Sequence, residues 1–167
     1  MALHASWVHG TAFMPAEFPG SGLENVDDVA WTDILGFRRG WGSFWQGIAG
    51  NANWFHVSIP TPVITDDNRV KLERVFVMFK AGEDTPNDAD LAGANVTDIH
   101  VWDGPNRIKT FGSFQLFGDH RGALDTDNTH VLDPQEEIFR GVGISVRVAF
   151  RQDELVGFAS AGADFYT

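Results

Sequence analysis

The sequence predicts an all-β, single-domain antiparallel sandwich of jelly-roll type, with about eight strands and at most one short helix. Three observations carry that expectation. Apolar residues recur with period two in short segments, as they do on the faces of strands. Turn chemistry separates those segments at intervals of roughly 8–12 residues or longer, the spacing of sandwiches and barrels. The composition is aromatic and glycine-punctuated, with 14 Phe, 6 Trp, a single Tyr, 18 Gly and no Cys, which suits side chains packed on pleated surfaces.

In chain order the first strand is Ala5–Phe13. Leu23 to Leu35 is the one stretch with helical spacing, through Leu23, Val26, Ala30 and Ile34, and it reads as a short helix or an irregular turn. Phe37–Ile48 is a glycine-rich strand segment, and Asn53–Ile59 is a strand ended by Pro60 and Pro62. Val70–Lys80 carries apolar residues on both alternating faces, as a central, doubly covered strand does. Residues 81–95 are polar and turn-rich, hence a surface loop. Val96–Trp102 and Arg107–Phe117 flank Asp103-Gly104-Pro105-Asn106, a four-residue hairpin connection. An acidic loop follows from Gly118 to about Gln135, and Gly143–Phe150 and Leu155–Ala159 close the fold. No linker or internal repeat interrupts residues 1–167, so one domain is expected.

Charge and length narrow the function. The net charge of −11 comes from 23 acidic and 12 scattered basic residues, which argues against a nucleic-acid partner. No run reaches the roughly 18 apolar residues of a membrane span, and no signal-peptide pattern is visible. Without cysteine there is no disulfide framework or thiolate metal site. A cytoplasmic protein is the expectation.

Alternation then sorts the strands into faces. Phe55, Val57 and Ile59 oppose Trp54, His56 and Ser58; Ile99 and Val101 oppose Asp98, His100 and Trp102. Ile144, Val146, Val148 and Phe150 oppose Ser145, Arg147 and Ala149. The aliphatic faces belong in the core. The opposite faces mix indole, imidazole and small polar groups. Indole rings stack on sugar rings and other apolar ligands, while a nearby His or Asp fixes orientation by hydrogen bonds. Trp54, His56, His100 and Trp102 are therefore the candidate ligand platform, with Asp103, Asp119 and His120 at its rim and Trp41 and Trp45 as a flanking wall. The competing structural reading makes these tryptophans a minor core under the loops, and Trp41 and Trp45 a plug at the sandwich end.

Catalytic chemistry has less support. His56, His100 and His120 offer an open three-histidine set for a divalent metal, but their spacing matches no short-range metal signature. No nucleophile elbow occurs around Ser58 or Ser145. Acidic loops at 66–68, 83–84, 88–90 and 125–128 concentrate oxygen ligands suited to calcium, yet none follows the twelve-residue EF-hand pattern. No cofactor is expected; calcium on these loops or a histidine-bound divalent metal are the alternatives.

The segments His4-Ala5-Ser6-Trp7-Val8-His9-Gly10-Thr11, Trp54-Phe55-His56 and His100-Val101-Trp102-Asp103-Gly104 resemble a family of small bacterial all-β proteins of unknown function. That resemblance covers most of the chain and implies no catalytic residue. At the level of fold the chain is similar to lectin-like jelly rolls, an analogy that does not establish function. The expected function is binding of a carbohydrate or other small ligand. The alternatives are a small-molecule enzyme using His acid–base or His–metal chemistry, and an assembly protein (a homo-oligomer) with an aromatic interface.

Overall fold

A computed structural model describes residues 2–16, 23–24, 36–82 and 93–167. Among the described residues there is no α-helix, only strands and a three-residue 3-10 turn, Gly10–Ala12. The strands are β1 (Leu3–His9), β2 (Met14–Pro15), β3 (Leu23–Glu24), β4 (Gly36–Arg39), β5 (Gly42–Gly47), β6 (Asn51–Ser58), β7 (Ile64–Thr65) and β8 (Asn68–Arg69). They continue as β9 (Lys71–Ala81), β10 (Ala94–Asp103), β11 (Asn106–Leu116), β12 (Gly118–Asp119), β13 (Thr129–Glu137), β14 (Val142–Phe150) and β15 (Glu154–Tyr166).

Eight of these strands form a rolled double ribbon. The first pairs with the eighth (β5 with β15) and the second with the seventh (β6 with β14). The third pairs with the sixth (β9 with β13) and the fourth with the fifth (β10 with β11). Pairing of β15 with β9 and of β14 with β10 completes two antiparallel sheets. This is jelly-roll topology, a sandwich of two Greek keys. The first sheet runs β13-β9-β15-β5, with β1, β3, β4 and β12 added along its edges. The second runs β11-β10-β14-β6-β2. β7 and β8 form a separate small hairpin, turned by Asp66 and Asp67, both in the left-handed region.

The core lies between the sheets because each contributes its aliphatic alternation to it. Val75, Val77 and Phe79 of β9 and Phe158 of β15 meet Phe55, Ile99 and Val146 of the second sheet. Burying each such side chain contributes about 1.5–3 kcal/mol. β9 is covered on its outer side as well: Phe76 stacks beneath Trp7 of β1 with ring centroids 5.1 Å apart.

Three expectations are corrected. Residues 23–24 are strand rather than helix, pairing with β5; 25–35 lie outside the described residues, as do 83–92 of the predicted surface loop. The acidic loop of residues 118–135 contains β12 and most of β13. Its strand character was masked because only His130 and Leu132 face inward, while an acidic, proline-containing sequence occupies the solvent side. The connection between β10 and β11 is a two-residue turn, Gly104-Pro105, since Asp103 and Asn106 are themselves paired.

Among the described residues no helix is long and apolar enough to cross a membrane.

Candidate functional site

The outer face of the second sheet is laid out by strand register. One cross-strand row reads Met14, His56, Ser145, His100 and Thr110, from β2 to β11. The row on one side reads Ser58, Gly143 and Trp102; the row on the other reads Trp54, Arg147 and Asp98. Trp54 and His56 of β6 and His100 and Trp102 of β10 therefore share one face, on either side of β14.

Ser145 is the hub of that face. Though it points outward, it is only 4% exposed, roofed by its neighbours. The Trp102 indole N–H donates to Ser145 Oγ at 3.0 Å, and His56 Nδ1 lies 2.7 Å from the same oxygen. An indole nitrogen only donates, so the hydroxyl accepts there and its own hydrogen is free for His56 Nδ1. With Ser145 donating, neutral His56 carries its proton on Nε2, directed away from Ser145; with His56 donating to the second lone pair, it carries it on Nδ1. Burial lowers the His56 pKa below the usual imidazole value, which favours the neutral ring near pH 7.

On the far side of Ser145 the aromatic strip continues. The Trp54 and His100 rings lie 4.4 Å apart, tilted by 39°, and His100 meets Trp102 edge-on at 6.2 Å. Burial and the positive charge of Arg107 lower the His100 pKa, partly opposed by Asp98. Arg147 donates to Thr97 Oγ1 at 3.0 Å and approaches Asp98 at 3.8 Å, closing that end of the strip.

Between Met14 and Trp102 a surface groove of about 560 Å³ opens, with His56, Ser58, Gly143 and Ser145 in its lining. Gly143 makes the gap, because its row partners Ser58 and Trp102 flank a position without a side chain. The groove thus brings an apolar wall, an indole ring and outward polar groups around one concavity, the features that small-ligand pockets share.

The other sequence-predicted residues lie elsewhere. Asp103 is 3% exposed and faces the interior side of β10, where its carboxylate accepts the backbone N–H groups of Phe139, Arg140 and Gly141 at 2.7–3.0 Å. Trp45 is 4% exposed and packs in the core against Phe55, so it is no flanking wall. Trp41 and Asp119 line a different concavity, on the outer face of the first sheet. His120 belongs to the loop after β12 of that same sheet, so it does not join His56 and His100 as a three-histidine set.

His120 has another task. Nδ1 lies 2.8 Å from Asp125 Oδ2, and Nε2 lies 2.9 Å from the carbonyl oxygen of Phe117. Both partners are acceptors, so making both hydrogen bonds at once takes the doubly protonated ring. Burial alone would lower its pKa; the hydrogen bonds to Asp125 and Phe117 and the charges of Asp125 and Asp127 outweigh it and raise the pKa. His120, Asp125 and Asp127 do bring ligand atoms within 4.8 Å of one another. A metal needs an unprotonated ring nitrogen, so an ion bound there would displace the His120 hydrogen bond to Asp125 or to Phe117. Asp125 Oδ1 in turn accepts the N–H groups of Asp127 and Asn128, so this calcium-like loop closes on itself. The acidic segments at 83–84 and 88–90 lie outside the described residues.

Sequence reasoning missed Ser145 as a hub, together with Met14 and Gly143. Parity along β14 puts Ser145 on the outer face beside Arg147. What the sequence does not contain is the register that sets Ser145 between His56 and His100.

A model of a family of unknown function, DUF6623, matches residues 1–157. The chain belongs to that family. The lining of the groove in this DUF6623 protein, from Ala12 to Ser145, falls within the matched span. No curated protein matches it.

Proposed function

We propose that the protein is a carbohydrate-type ligand-binding module whose site is the Met14–Trp102 groove. The observation that supports this best is the Ser145 clamp. One buried hydroxyl fixes both Trp102 and His56 while leaving their remaining faces toward the groove. Groups held in place before the ligand arrives lose little entropy when it binds. An indole ring beside outward-directed His56 and Ser58 suits a sugar, apolar on its ring face and hydroxylated at its edge.

The Ser145–His56 contact also has the length of a nucleophile–base pair. Two features favour binding over catalysis. Ser145 is covered and already accepts the Trp102 N–H, and no carboxylate orients His56 from its second nitrogen among the described hydrogen bonds.

The test is calorimetric titration with a panel of neutral gluco-, galacto-, manno- and xylo-configured trisaccharides. At least one should bind saturably, and Trp102→Ala should weaken it about tenfold or more, the scale of losing one aromatic platform. Thermal unfolding of that variant should stay close to wild type, since Trp102 is half-buried rather than core. Absence of saturable binding across the panel at millimolar concentration, or a Trp102→Ala variant that binds as wild type does, would overturn the reading.

A second variant tests the concavity itself. A Cβ placed on Gly143 meets only the Trp102 Cβ, at an ordinary 3.7 Å. Gly143→Ala should therefore fold normally yet raise the floor of the groove, and we expect it to reduce affinity about threefold to tenfold. Unchanged affinity in the same titration would place the ligand elsewhere.

A further inference from the structure

The opposite face of the sandwich holds a second concavity that the groove does not use. It encloses about 610 Å³ and is lined by Trp41, Asp119, Arg121, Gly122 and Ala159. We propose that it is a separate site for a carboxylate-bearing ring, as in a uronic acid, with Arg121 as its anchor and Trp41 as its ledge.

Asp119, Lys80, Gly157 and Phe44 occupy one cross-strand row of the first sheet. Their inward neighbours Ala81, Phe158 and Trp45 are core residues, so this row faces outward. It lies on the far side of the molecule from the groove, and a ligand cannot bridge the two.

Arg121 is then fixed in three ways. Its Nε–H and one N–H of Nη2 donate to the two oxygens of Asp119 at 2.7 and 2.6 Å. Its guanidinium carbon lies 5.4 Å from the Trp41 ring centroid and 6.0 Å from that of Phe44. The loop that carries it is closed from behind by the His120–Asp125 pair and by Asn128, whose amide donates to the carbonyls of His120 and Ala123. Trp41 is held too, its turn being pinned by a hydrogen bond between His9 Nε2 and the Gly40 carbonyl.

A guanidinium has five N–H donors, and Asp119 takes two. The three that remain include the Nη1–Nη2 fork, unclaimed by hydrogen bonds among the described residues. That fork has the shape of a carboxylate, which it binds in bidentate fashion. In this row Arg121 and Lys80 set two positive charges beside the negative charge of Asp119, while Asp125 and Asp127 of the same loop face His120. Trp41, half-exposed beside the fork, gives the ligand ring an apolar edge to rest on.

Trigalacturonate is a suitable probe, titrated by calorimetry against wild type, Arg121→Lys, Trp41→Ala and Trp102→Ala. Arg121→Lys keeps the charge but removes the fork, and Trp41 is exposed enough that its loss leaves the core intact. Binding should weaken about tenfold in each of the first two variants, the scale of one bidentate charge-assisted contact, and stay unchanged in Trp102→Ala. A neutral trisaccharide should not displace the probe. The proposal is overturned if trigalacturonate does not bind, if Arg121→Lys binds it as wild type does, or if Trp102→Ala abolishes binding. The last result would instead place the acidic sugar in the groove, so failure here and failure of the groove reading are distinguishable.

Discussion

Replacing Asp103 with alanine should destabilise the protein by about 3 kcal/mol, the cost of stripping a buried carboxylate from several backbone donors. Its two oxygens satisfy three consecutive N–H groups, those of Phe139, Arg140 and Gly141, in the connection from β13 to β14. The same turn is tied again by the Gly104 N–H, which donates to the Gly141 carbonyl at 3.0 Å. Removing the carboxylate leaves three donors without partners where β10 and β14 end together. Burial alone would raise the Asp103 pKa; its three backbone hydrogen bonds and the charge of Arg140 outweigh that and lower it. A lowered carboxylate pKa contributes stability above the unfolded value, and that stability is lost as pH falls through the folded value. Urea unfolding at neutral pH checks the main effect. A variant within about 0.5 kcal/mol of wild type, the scatter of neutral surface substitutions, would mean that water replaces the carboxylate at no cost.

Acidification should destabilise the fold earlier than carboxylate protonation can explain, through His130. This ring is 5% exposed on the inner side of β13, with the Phe111 and Phe114 rings 5.3 and 5.5 Å away. Its Nε2 is buried without a hydrogen-bond partner. Burial lowers its pKa from 6.5 to about 4. The unfolded chain therefore takes up a proton that the folded chain refuses between those values, and stability falls as pH drops from about 6.5 to 4. A shift of that size corresponds to about 3 kcal/mol. His56 and His100 act in the same direction. His120, with its raised pKa, acts in a different window: its contribution is full below about 6.5 and is lost as pH rises through the folded value. Chemical denaturation at stepped pH should show the His130 slope in wild type and a much flatter one in His130→Leu. A slope that survives in the variant would assign the effect to other groups.

The fold was legible where one face of a strand is aliphatic and the other is not. Alternation in β6, β10 and β14 separates core from outer face, and it puts Trp54, His56, His100 and Trp102 on the same side. The parity of β10 also speaks for Asp103: it falls in step with Ile99 and Val101, which makes it an inward residue rather than part of a rim. Trp45 was harder. Residues 42–45 are all buried, so no polar face marks which ring points inward. β13 was hidden for the opposite reason, having too few apolar residues to display a period. Local pattern also carries no information about which strands neighbour each other. That is why Trp41 and Asp119 could be grouped with the groove in the sequence, although the rolled ribbon puts them on the other sheet.

The central claim is that a ligand sits on the outer face of the second sheet, over the Ser145 clamp. Amide chemical-shift mapping of the intact chain, titrated with a neutral trisaccharide from the panel, addresses it most directly. The largest shifts should fall at His56, Trp102, Gly143 and Ser145, with Trp41 and Arg121 unmoved. Shifts centred on any other surface, or none at saturation of the titration, would contradict it.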